Sequence, residues 1–178
     1  MIQSKKDLKA YLYADCVANK FDRMSMRWLN ARYNFLRALR QYEYAVNNEK
    51  YPPLLRVLYR FRLYRLSVKT GIQIPPNTFG KGLYLPHHGT IVVNETARFG
   101  DNCVIQAGVN ISENVRGGDH VYLSAGCKLM KDVSICSHVI VGANAVVTKN
   151  IDEINVVVAG VPAKIISQNG FLNRERAI

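Results

Sequence analysis

The sequence predicts a mainly β fold: a left-handed parallel β-helix of hexapeptide repeats, preceded by an N-terminal α-helical segment. Three observations carry that prediction. Residues 99–146 divide into eight consecutive hexads, FGDNCV, IQAGVN, ISENVR, GGDHVY, LSAGCK, LMKDVS, ICSHVI and VGANAV. Their first position is Phe99, Ile105, Ile111, Gly117, Leu123, Leu129, Ile135 and Val141, large and apolar at seven of eight. Their fifth position runs Cys103, Val109, Val115, Val121, Cys127, Val133, Val139 and Ala145, small or β-branched throughout. An α-helix would rotate a six-residue stripe off any one face, whereas a short strand plus a turn repeats every six residues. Three such hexads close one triangular coil, the sequence rule of the left-handed β-helix and an exception to right-handed crossovers.

Residues 1–70 follow a helical period instead. Ser4 with Asp7 three residues on forms a capping box that opens a first helix. In MRWLNARYNFLRALRQ, residues Met26, Leu29, Tyr33 and Leu36 recur at three- and four-residue spacing as one apolar stripe. Asn47, Asn48 and the pair Pro52-Pro53 end that helix. The run 54–69, rich in Leu, Tyr and Arg, reads as a third helix. This gives a basic helical segment at 1–70, a β-helix domain at 71–168 and a tail at 169–178.

Charge divides along the same line. Residues 1–70 hold 15 Lys/Arg against 5 Asp/Glu, while 71–178 hold 9 against 8. A basic appendage on a nearly neutral body points to an anionic partner, such as a membrane surface. A β-helix scaffold gripping nucleic acid through this arm is the non-enzymatic reading, but no RNA-binding motif accompanies the charge, and no nucleic acid is expected. The sequence contains no signal-peptide-like or membrane-spanning apolar run, so the expected location is the cytoplasm, peripheral to the inner membrane if the arm engages it. Cys16, Cys103, Cys127 and Cys136 form no CxxC pair and read as buried thiols.

The repeat is disturbed at one place. FGKGLY starts at Phe79 and LPHHGT at Leu85, so the next hexad should begin at Ile91, yet counting back from Phe99 gives Val93. The frame slips by two residues immediately after His87 and His88. Both histidines then sit near a corner of the coil, where a solenoid carries function. From the residues alone His87 is either a general base or a corner residue without a role. A metal site is not expected, because adjacent side chains diverge and no third ligand is evident.

The hexads, the helical N-terminal segment, the string GLYLPHHGTIVVNETARFGDN and the later AGVPAK resemble the serine acetyltransferase-like branch of the hexapeptide acyltransferases. The closest likeness is to O-acetyltransferases of capsular and exopolysaccharide clusters. The resemblance covers 71–168 well and the N-terminal segment loosely. It implies acetyl-CoA as co-substrate, with no metal, and His87 as the base that deprotonates an acceptor hydroxyl. His88, Pro86 and Asn94 are the implied acceptor-side residues. The small residues Ala125, Gly142, Ala143 and Gly160 would let the donor approach the backbone, and Lys149 and Lys164 would meet its phosphates. A homotrimer or a dimer of trimers, with sites between subunits, is implied as well. Two positions depart from the serine acetyltransferase pattern: Gln73 and Pro86 stand where those enzymes carry aspartates. The second departure favours a sugar hydroxyl as acceptor, with serine as the alternative. In GGDH the expected long loop is missing, so His120 reads as a turn residue, and His138 as a corner residue.

Overall fold

The computed structural model describes residues 1–21 and 29–171. Among the described residues three helices, α1 (Lys5–Ala18), α2 (Ala31–Val46) and α3 (Pro53–Thr70), precede a left-handed β-helix. The capping box forms as the sequence predicts. The Ser4 hydroxyl accepts from the Asp7 N–H at 3.1 Å, and the Asp7 carboxylate accepts from the Ser4 N–H at 2.9 Å. Asn47 caps α2, and Gly71 closes α3 in the left-handed region, where a side chain would be strained. The predicted α2 stripe is shorter than expected. Leu36 is buried and Tyr33 packs against the core, but Leu29 precedes the helix and is 58% exposed. Met26 lies outside the described residues.

The β-helix has three faces of short parallel strands. The first face stacks β1 (Ile72–Gln73), β2 (Ile91–Val93), β5 (Asn110–Ile111), β8 (Lys128–Leu129) and β11 (Val146–Val147). The second stacks β3 (Arg98–Phe99), β6 (Arg116–Gly117) and β9 (Ser134–Ile135). The third stacks β4 (Val104–Ile105), β7 (Tyr122–Leu123), β10 (Ile140–Val141), β12 (Val157–Ala159) and an antiparallel β13 (Lys164–Ser167). Partners such as Val104, Tyr122 and Ile140 lie eighteen residues apart, three hexads per coil. First and fifth hexad positions both point inward. Ile105, Leu123, Val115 and Cys127 are fully buried.

Two details explain the sequence pattern. The fourth residue of every hexad from 99 to 146 has positive φ: Asn102, Gly108, Asn114, His120, Gly126, Asp132, His138 and Asn144. Gly enters this region freely, and Asn, Asp and His enter it more readily than other residues, which is why these residue types recur there. Gly117 is the one first position without a large side chain. A Cβ there would sit 2.1 Å from the Phe99 ring, which stacks on Phe79 at 4.8 Å and fills that space. Gly170 and Phe171, assigned by sequence to a tail, return to the third face. The Phe171 N–H donates to the His138 carbonyl at 2.8 Å and its buried ring packs beside Tyr122.

Candidate active site

The two-residue insertion falls at the corner joining the third face to the first. Tyr84 pairs with Val104, twenty residues on, while Val93 pairs with Ile111, eighteen on, so the extra residues lie between them. The segment 86–90 is therefore a protruding corner, and His87 and His88 are both exposed on it. Its backbone is anchored from above. The Gly89 N–H donates to the Thr70 carbonyl at 2.9 Å and the Ile91 N–H to the Gly71 carbonyl at 3.0 Å, tying the corner to the end of α3. From below, the Thr90 carbonyl accepts from the Gly108 N–H at 2.6 Å.

The chain leading into this corner is held by the helices, through contacts the six-residue pattern does not reveal. Asn19, at the end of α1, donates to the Leu83 carbonyl at 2.8 Å and accepts from the Leu85 N–H at 3.0 Å. Asp15 accepts from the Leu83 N–H at 2.9 Å. The Arg32 guanidinium donates to the Leu85 carbonyl at 2.6 Å and also to the Pro86 carbonyl, next to His87. Deeper still, Arg40 is fully buried, bridging Asp15 at 2.7 Å and Glu43 at 2.9 Å while donating to the carbonyls of Phe79 and Gly80. Burial alone would lower the Arg40 pKa, but the two carboxylates outweigh it and raise it, so the guanidinium keeps its charge.

Below His87 the same corner continues as a column of small residues. Ala107 and Gly108, Ala125 and Gly126, then Ala143 follow at successive coils, linked by the Gly126 N–H to the Ala107 carbonyl and the Asn144 N–H to the Ala125 carbonyl, both at 2.9 Å. The spacing tolerates little more: a Cβ at Gly108 or at Gly142 would meet neighbouring atoms at 3.1 and 3.0 Å respectively. Gly160 closes the column, its carbonyl accepting from the Val146 N–H at 3.0 Å. Ala125, Gly142, Ala143 and Gly160 thus share one edge with His87. Lys164 begins β13, paired with Ala159 at the foot of that edge.

Lys149 and Asn94 lie elsewhere. Lys149 follows β11 at the corner between the first and second faces, in the column of Glu113 and Lys131. Asn94 starts the same corner one coil above Glu113 and three above Lys149. Its side-chain oxygen accepts from the Thr96 N–H at 3.0 Å and hydroxyl at 2.8 Å, so it shapes a turn. Gln73 belongs to β1 on the first face, opposite Val92. No hydrogen bond or ion pair holds either imidazole of the His87–His88 pair among the described residues. No group of three or more His, Cys, Asp or Glu side chains there could hold a metal ion. His120 and His138 occupy the positive-φ turn at the corner between the second and third faces, stacked at 4.7 Å. Gln106, two residues beyond Val104, stands level with Pro86 and donates to the Tyr122 hydroxyl at 2.8 Å. It is a candidate site residue that the hexad pattern does not single out.

No family model and no curated protein matches this sequence. Solved structures do. The chain superposes on serine acetyltransferase from Neisseria gonorrhoeae in complex with serine, with a TM-score of 0.74 and 26% identity over 92% of this chain and 71% of that one. Its fold is that of the serine acetyltransferases. The enzyme from Brucella abortus strain S19 gives a TM-score of 0.74 at 26% identity, over 93% and 71% of the two chains. A serine acetyltransferase complexed with CoA matches in fold, with a TM-score of 0.75 at 22% identity over 91% and 71%.

Proposed function

We propose that this chain is an acetyl-CoA-dependent O-acetyltransferase with His87 as general base. The observation that carries the reading is one corner of the β-helix. It places an exposed imidazole on a helix-braced protrusion at the head of a column of small residues. Such a column admits a thin, extended donor against the backbone. His87 takes the proton from the acceptor hydroxyl as its oxygen attacks the thioester carbon. The N–H groups of His88 and Thr90, which have no acceptor among the described residues, are the nearest candidates to steady the tetrahedral oxyanion. Collapse breaks the carbon–sulfur bond, and His87 returns its proton to the departing thiolate. The corner requires no metal for any of these steps.

The structural comparisons favour serine as the acceptor over a sugar, since neighbours of this fold are serine acetyltransferases, one of them holding serine. A sugar hydroxyl is the second reading, and Pro86 favours it. The residue before the base offers no anion for an amino-acid ammonium, and Gln73 is likewise uncharged. A thiol-release assay with acetyl-CoA and either serine or sugar acceptors separates the two. Acceptor-dependent release that disappears in His87→Ala is the expected result. Equal release by wild type and variant, or none with any acceptor, overturns the proposal.

A further inference from the structure

Helix α3 presents an apolar face to solvent. Leu63 and Thr70 point inward, and the opposite side carries Leu54, Val57, Leu58, Phe61, Tyr64 and Val68, between 51% and 71% exposed. These positions follow the helical period down one side, so they form a continuous stripe rather than scattered residues. The helix is apolar on both sides, and only one of them is used by the fold.

The charges beside the stripe indicate what covers it. Residues 53–70 contain Arg56, Arg60, Arg62, Arg65 and Lys69 and no carboxylate. Arg56 and Arg62 are occupied, donating to the carbonyls of Asn48 and Glu49 and to the Gln41 side chain. Arg60 and Lys69 are exposed along the two margins of the stripe, and the exposed Arg65 stands within it, its guanidinium over the Phe61 ring at 5.8 Å. Packing this face on the same face of a second copy would bring two sets of cations together. An apolar stripe flanked by cations, on a helix that lies along the surface, fits the headgroup boundary of an anionic bilayer. The arginine and lysine stems can extend over apolar surface while their heads reach phosphate.

We propose that the exposed face of α3 docks the protein, in plane, on an anionic lipid surface. This does not depend on the acetyltransferase reading. No helix among the described residues is long and apolar enough to cross a membrane, so attachment is peripheral. The site corner hangs from the C-terminal end of this helix through Thr70 and Gly71, so docking holds His87 close to the lipid.

Co-sedimentation of the full chain with phosphatidylcholine vesicles, with and without about a third phosphatidylglycerol, tests this at about 50 mM and about 500 mM salt. Binding is expected only to the anionic vesicles and only at the lower salt. It should fall at least about tenfold in Phe61→Glu/Val68→Glu, with helix content and melting unchanged. Arg60→Gln/Arg65→Gln/Lys69→Gln, which keeps the stripe, should weaken binding and its salt dependence together. Absence of binding at the lower salt overturns the proposal. So does a Phe61→Glu/Val68→Glu protein that binds normally. A drop in sedimentation mass in that variant, without any vesicle binding by the wild type, assigns the face to contacts between copies and also overturns it.

Discussion

At the scale of single residues, the two corner histidines have different expected roles. His87→Ala should lower kcat by roughly 10²–10⁴, the usual worth of a general base, with an unchanged melting temperature. His88→Ala should mainly raise the acceptor KM, and steady-state kinetics on both variants checks the division. The buried thiols make a separate prediction. Burial pushes Cys103 and Cys127 up to about 12 from an ordinary 9.0. The folded state therefore favours the neutral thiol: the stability this gives is complete below pH 9 and drains away as pH rises toward 12. One pH unit above the ordinary value costs about 1.4 kcal/mol per thiol. Urea unfolding at about pH 7 and about pH 10 should show a smaller loss in Cys103→Ala/Cys127→Ala than in wild type, although that variant starts lower because of its cavities.

At the scale of elements, the hexad core and the helix brace behave differently on substitution. Val109→Asp or Val133→Asp places an unpaired charge at a position 1% or 2% exposed and should abolish soluble protein, read by expression and melting. Arg40→Met removes the cation between Asp15 and Glu43 and leaves two buried carboxylates uncompensated. Its expected cost is about 3–5 kcal/mol in chemical denaturation. The β-helix was legible because a six-residue period repeats locally: each hexad carries its own core residues and its own turn residue. The insertion was legible for the same reason, as a break in that count. The brace was not. Arg32 meets Leu85 and Pro86 more than fifty residues away, and a single guanidinium at the start of a helix looks like any solvated charge. The outward stripe of α3 was hidden because the helix is apolar on both sides, which leaves no clear polar face in the sequence. Lys149 shows the converse limit. Motif likeness marked it, but the coil sets it on another corner, because a residue's face follows from its count within eighteen.

For the whole molecule, the resemblance implies a trimer or a dimer of trimers, and sedimentation velocity should then give three or six times the chain mass of 20.1 kDa. Under the proposed function the small-residue corner has a metric consequence. Adjacent coils are one strand spacing apart, roughly 4.8 Å, so the edge from Gly89 to Gly160 runs about 19 Å over its four steps. Coil number is therefore a ruler, with the reactive end fixed at its top and the phosphate end at Lys164 at its foot. Duplicating residues 109–126 would add one graduation without disturbing the hexad phase. The protein should still fold, and the thioester would still reach His87, but the phosphates would stop one strand spacing short. The expected signature is a raised KM for acetyl-CoA with little change in KM for the acceptor. The length of donor this molecule accepts is written as an integer, the count of turns between its base and its closing hairpin.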